Sequence, residues 1–202
     1  MFKKVIIFPI ICFTLFLLMN SLSNADTQSI FAIMINEKIG FVDEMGTIIV
    51  NPIFEDVGDL AEDLIPVCNA KYKWGFINTS GNQVIEPIYD QVTSFSEGFA
   101  AVKIGTKWGF IKKDGAFLIV PKYDDITRFR ENLAGVQIKG KWGFIDQNDT
   151  IIIHPKYDDV SRFAYGIAAV KIKNKWGFIN KKGKLIINPT YEDSYCFYSK
   201  EY

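Results

Sequence analysis

Histidine is almost absent from this chain: His154 is the only one, and cysteine occurs three times, at Cys12, Cys68 and Cys196. One histidine excludes His-cluster metal sites, and neither later thiol has a histidine nearby in sequence to act as its base. Net charge is missing as well. Lys+Arg 23 balance Asp+Glu 23, so no field draws nucleic acid or an anionic membrane non-specifically. There is no Gly-rich phosphate loop and no nucleophile elbow; the glycines are spread over turn positions. What the chain has is apolar surface. Hydrophobic residues make up 49% and aromatics 15%, enough to offset the entropy of ordering and to exclude a disordered polymer.

One long apolar run is present, at the start. Lys3 and Lys4 precede an apolar stretch from Val5 to Met19, and Ser23-Asn24-Ala25 supplies small residues at −3 and −1 of a cleavage site. The pattern predicts a signal peptide over residues 1–25, cleaved after Ala25, and a mature chain of 26–202 that is secreted, periplasmic or held in the cell envelope. The run is shorter than the roughly 20 residues that span a bilayer comfortably; an uncleaved anchor is the alternative. Cys12 lies inside the run and follows Ile11, a poor context for lipidation. Removing Lys3 and Lys4 leaves 21 basic residues against 23 acidic ones. No second long apolar segment follows, so no membrane association is expected after cleavage. Export permits a Cys68–Cys196 disulfide, but the two residues fall at different repeat positions in non-adjacent copies, and free thiols are the simpler expectation.

The rest of the chain is periodic. Trp74, Trp108, Trp142 and Trp176 are spaced 34 apart, each preceded by Lys and followed by Gly-Phe-Ile; an earlier copy has Ile39 in place of Trp. Proline follows thirteen residues later (Pro52, Pro87, Pro121, Pro155, Pro189), and an aromatic fifteen later (Phe54, Tyr89, Tyr123, Tyr157, Tyr191). Phe95, Phe129, Phe163 and Phe197 come six residues further on. Coincidences at this many positions establish a repeat.

Each unit reads as short strands joined by turns. Ala100 to Ile104 and Lys107 to Ile111 flank Gly105-Thr106, a hairpin. Asp114-Gly115 turns the chain into Ala116 to Val120, with Gly46, Gly81, Asn148-Asp149 and Gly183 in the matching slots. Asp63, Gly98, Asn132 and Gly166 mark the turn before the next unit, all tolerant of the left-handed region. The fold class is therefore all-β: five tandem antiparallel meanders of about 34 residues, near 30–63, 64–98, 99–132, 133–166 and 167–202. Strand alternation puts Trp and Phe of each motif on one face and Gly on the other. Trp, Phe and the later Tyr then form the core between repeats, and Gly admits close approach by an aromatic or backbone of the adjoining repeat. The frame starts at the Ile30 strand and ends at the Tyr191 strand. An open or superhelical array is expected, with a small five-bladed propeller closed by the last strand as the alternative.

Lys-Trp-Gly-Phe-Ile with a downstream Pro-x-Tyr-Asp and a Glu-Gly-x-Ala-Ala-Val segment resembles the WG-repeat (KWG) family of bacterial proteins. The resemblance covers about residues 30 to 197. It implies a β-rich repeat protein, often exported, with no established general activity.

A catalytic site in a repeat protein should break the repeat. His154 occupies the slot held by Asn51, Glu86, Val120 and Asn188 elsewhere, an exposed strand end. Glu55-Asp56, Asp90, Asp124-Asp125, Asp158-Asp159 and Glu192-Asp193 could bind Ca²⁺ or serve a glycosidase. They recur in every unit, however, and accepting backbone N–H bonds at the corner after Pro-x-Tyr explains them. Lys73, Lys107, Lys141 and Lys175, with Arg128 and Arg162, form a basic ladder that pairs with those acids, guards strand edges or meets an anionic partner. No catalytic, cofactor or metal residue is assigned, and the binding residues stay unassigned. The expectation is a monomeric, non-enzymatic binding module for a protein or glycan partner. A carbohydrate-active enzyme and a purely structural envelope protein are the alternatives.

Overall fold

The computed structural model describes residues 29–193. The expected leader over 1–25, Cys196, Phe197 and any closing strand beyond Asp193 lie outside the described residues.

Within them the chain forms five antiparallel sheets in series. The first has three strands, β1 (Phe31–Ile35), β2 (Lys38–Val42) and β3 (Ile48–Phe54). The other four add a two-residue strand at one edge. The second sheet comprises β4 (Asp56–Val57), β5 (Leu64–Cys68), β6 (Trp74–Asn78) and β7 (Gln83–Tyr89). The third comprises β8 (Gln91–Val92), β9 (Phe99–Ile104), β10 (Lys107–Lys112) and β11 (Phe117–Tyr123). The fourth comprises β12 (Asp125–Ile126), β13 (Ala134–Ile138), β14 (Lys141–Ile145) and β15 (Ile151–Tyr157). The fifth comprises β16 (Asp159–Val160), β17 (Ile167–Ile172), β18 (Lys175–Asn180) and β19 (Leu185–Tyr191). The hydrogen-bonded frame is offset from the sequence units, because the short strand after each Pro-x-Tyr pairs forward with the next unit.

Turn chemistry accounts for the meander. Before β5, β9, β13 and β17 the central turn residues are both left-handed, as at Glu97 (φ 54°) and Gly98 (φ 84°), the geometry that matches strand twist. At the next turn but one, the side chains of Asp43, Asn78, Asp146 and Asn180 each accept N–H bonds from residues two and four further on.

Four apolar cores join the five sheets, one at each junction. In each, the Phe of the Trp-Gly-Phe motif and the Tyr (Phe54 in the first unit) point forward. The alternate residues of the next unit's second and third strands point back at them. At the third junction Phe110, Ile119 and Tyr123 meet Ala134, Val136 and Ile145. Phe129 caps that core, its ring centroid 4.5 Å from that of Phe110. Phe76, Phe110, Phe144, Phe129 and Phe163 are fully buried, each contributing about 2 kcal/mol. No core joins the first sheet to the fifth among the described residues, so the series is open there.

The motif glycine has a different reason from the one its sequence suggests. A β-carbon on Gly109 would lie 2.4 Å from the carbonyl oxygen of Ile119 and 2.7 Å from the nitrogen of Pro121. Those atoms belong to the outer strand of the same repeat, not to the adjoining one. The register slips between Trp108 and Phe110, and the bulged outer strand leans across the glycine. Gly40, Gly75, Gly143 and Gly177 meet the same atoms. Proline suits the bulge because it has no N–H to leave unpaired.

Candidate functional site

The repeated charges are spent within the fold. Each motif Lys bonds an acid seventeen residues later: Lys38–Glu55 at 2.5 Å, Lys73–Asp90, Lys107–Asp124, Lys141–Asp158 at 2.5 Å and Lys175–Glu192 at 3.2 Å. The second oxygens of Asp90, Asp124 and Asp158 accept N–H bonds from Gly105, Lys139 and Lys173, 2.6–2.8 Å away in the next hairpin. The ammonium partner first, then the N–H, holds each carboxyl below the ordinary carboxylate range. A glycosidase acid needs the opposite, a carboxyl kept protonated.

A second row clasps neighbouring repeats. Glu62 accepts from Gly98 N, Glu97 from Glu131 N and Asn132 N, and Glu131 from Gly166 N. Lys113 and Lys181 pair with Glu62 and Glu131 at 3.2 and 2.9 Å. His154 is exposed on β15. Cys68 is buried, and that burial, with Asp56 and Glu55 nearby, pushes its thiol up, the reverse of what a nucleophile requires.

What remains is the place where the pattern breaks. Thr93, Thr127 and Ser161 each offer a hydroxyl oxygen to the N–H of Ala101, Gly135 and Ala169, at 3.1, 2.8 and 2.9 Å. The second sheet has Gly58 and Pro66 at those positions. Pro66 has no N–H to satisfy, and Gly58 has no hydroxyl to offer. Their backbones still pair, Gly58 N donating to Pro66 O at 2.9 Å. A β-carbon on Gly58 would sit 2.8 Å from Pro66 Cγ. Next door, Lys103 and Lys171 lie over the Trp108 and Trp176 rings, 5.6 Å from each centroid. The cross-strand partner of Trp74 is instead the short Cys68, and that of Trp142 is Gln137.

These departures converge on a groove of about 300 Å³ lined by Gly58, Asp59, Pro66, Trp74, Val92, Thr93, Ser94 and Arg128. Trp74 is half-buried, and it and Val92 both pack against the core of the second junction. Ser94 Oγ donates to the carbonyl of Asp59 at 3.0 Å, and Thr93 keeps its own O–H to donate. The groove thus sets an indole and a proline ring beside hydroxyls, a carboxylate and a guanidinium. Sequence reasoning marked Arg128, as part of the basic ladder, but not the groove. The available signal was the aligned columns, in which Gly58, Asp59, Pro66 and Cys68 depart within one sheet.

The WG containing repeat model matches residues 39–72, 74–108, 108–142, 142–176 and 176–202. The chain belongs to this family. Each WG repeat, by its motif and fold, is the meander described above. The comparison with curated proteins finds none that matches. Among solved structures, a eukaryotic initiation factor is similar at 11% identity and a TM-score of 0.55, with 85% of this chain and 54% of that one covered. Hsv2 of Kluyveromyces lactis is similar at 12% identity and a TM-score of 0.51, with 78% and 58% covered. This WG-repeat chain therefore spans a little over half of either, and identities so low speak for fold alone.

Proposed function

We propose that this WG-repeat chain is a non-catalytic binding module, acting outside the cytoplasm, whose groove at Trp74 takes a sugar unit of a glycan. The observation that carries the reading is the convergence of the repeat's departures on one groove, while the repeated carboxylates and ammonium groups are engaged in intramolecular bonds. A pyranose has an apolar C–H face and a rim of hydroxyls. The face suits Trp74 and Pro66, and the rim suits Asp59, Thr93, Ser94 and Arg128. The volume is at the small end of the roughly 300–1,000 Å³ range of small-molecule sites, fitting one or two sugar units. Export rests on the leader read at residues 1–25.

The test is titration of residues 26–202 with a panel of neutral oligosaccharides, followed by calorimetry and indole fluorescence. Binding that Trp74→Ala weakens about thirtyfold or more, and that Trp176→Ala leaves unchanged, is the expected result. A panel without a binder, or equal effects of the two variants, overturns it. A protein partner is the second reading, favoured by Val84, Ile152 and Ile186. They occupy one repeat position on the outer strands and are 40%, 42% and 51% exposed.

A further inference from the structure

Every interior junction joins the same two faces, and among the described residues one of each is left exposed, on the first sheet and on the fifth. On the fifth sheet the forward face is exposed among the described residues. Ile187 and Tyr191 are 41% and 51% exposed, whereas their counterparts Ile153 and Tyr157 are 4% and 1%. On the first sheet the backward face is bare. Phe31 is 53% exposed and Ile33 and Val42 are half-buried, whereas the matching Ala100, Val102 and Ile111 are fully covered. At the tail the residue types are those of the interior junctions, Phe178, Ile187 and Tyr191; at the head Ile33 and Val42 are aliphatic like Val102 and Ile111, and Phe31 stands where the interior has Ala100, Ala134 and Ala168.

We propose that these end faces pack on each other between copies of this chain, head to tail, repeating the interior junction. The occupant of each face is a second copy, because the chain's own opposite end is the surface that covers it four times over inside the array. Within one chain the two ends share no core among the described residues. The contact is heterologous, one face meeting a different one, so each copy added leaves a new end open. Association then rises with concentration and extends the row of grooves. This differs from the single chain expected from sequence, and it does not depend on what the Trp74 groove binds.

The polarity of the contact supplies its test. Ile33→Glu spoils the head and leaves the tail; Ile187→Glu spoils the tail and leaves the head. Both positions are partly exposed, and circular dichroism checks that the variants fold. In sedimentation velocity, residues 26–202 should show a mass that climbs with concentration. Each variant alone should stay a single chain, its self-association weakened about a hundredfold. Mixing the two variants should give a one-to-one complex and nothing larger. Three results each overturn the proposal: a wild-type chain that stays single at every concentration, as it would if its own terminal segments or ring closure covered the ends; variants that associate like wild type; and a mixture that forms no complex.

Discussion

Gly58 and Pro66 are matched to each other: a β-carbon at 58 would lie 2.8 Å from the proline Cγ, and 3.1 Å from its Cβ. The other repeats hold a hydroxyl and an N–H donor at these places, so the pair is an exchange of one hydrogen bond for one ring contact. Gly58→Thr alone should cost about 2 kcal/mol through overpacking. Adding Pro66→Ala should recover most of that by restoring the hydroxyl to N–H bond. Urea unfolding of the two single variants and the double variant measures the coupling. The double variant should fold well and lose sugar binding, because the side chain added by Gly58→Thr would fill the groove.

The motif glycines should tolerate no side chain. Gly109→Ala sets a methyl against backbone atoms at 2.4 and 2.7 Å, which cannot move without opening the bulge. The expected loss is about 3 kcal/mol or more. Gly98 has open space around its β-position and only its φ of 84° to resist a methyl, so Gly98→Ala should cost about 1 kcal/mol. Equal losses in denaturant titrations would refute the bulge explanation.

Acid should destabilise the array in a defined window. The carboxyls of Asp90, Asp124 and Asp158 are held below the ordinary 3.8, first by Lys73, Lys107 and Lys141. Below 3.8 the unfolded chain binds more protons than the folded one, so stability falls as pH drops. The contribution is complete at neutral pH and is lost as pH passes down through the lowered folded value. Thermal melts should be flat from about pH 7 to 5 in this respect and fall below about 4. Asp124→Asn should make that fall shallower; an unchanged acid slope would dismiss the ladder as its cause.

The glutamate clasp should protect particular amides. Glu97→Gln leaves one oxygen where two served the N–H groups of Glu131 and Asn132, 2.5 and 2.8 Å away. Hydrogen exchange at those two amides should quicken about tenfold, with the sheet interiors unchanged.

Export carries its own check. Expression of the full chain should yield a protein whose first residue is Asp26, read by mass spectrometry, and retention of residues 1–25 would replace the signal peptide with an anchor.

The repeat count, the turns and the aromatic cores were legible because each depends on residues close together in sequence or recurring at one period. Gly98 and Asn132 announce a left-handed turn by residue type, and Phe110 announces a core by alternation. The reason for Gly109 was not legible, since it depends on a register slip that brings Ile119 and Pro121 across it. Nor were the Glu97–Asn132 bonds, whose partners are set by how sheets stack; pairing of Lys73 with an acid was one of three readings of the basic ladder, and the fold selects Asp90. The groove was half-written in the sequence, as departures at Gly58, Asp59, Pro66 and Cys68 that only the fold assembles beside Trp74.

Because each core is shared by just two neighbouring sheets, duplicating or deleting one unit in the gene would leave every other junction intact. Copy number is thus free to drift while the fold persists. Selection for a longer or shorter reach can act on whole units, and a single unit, such as the one holding Trp74, can diverge without its neighbours changing.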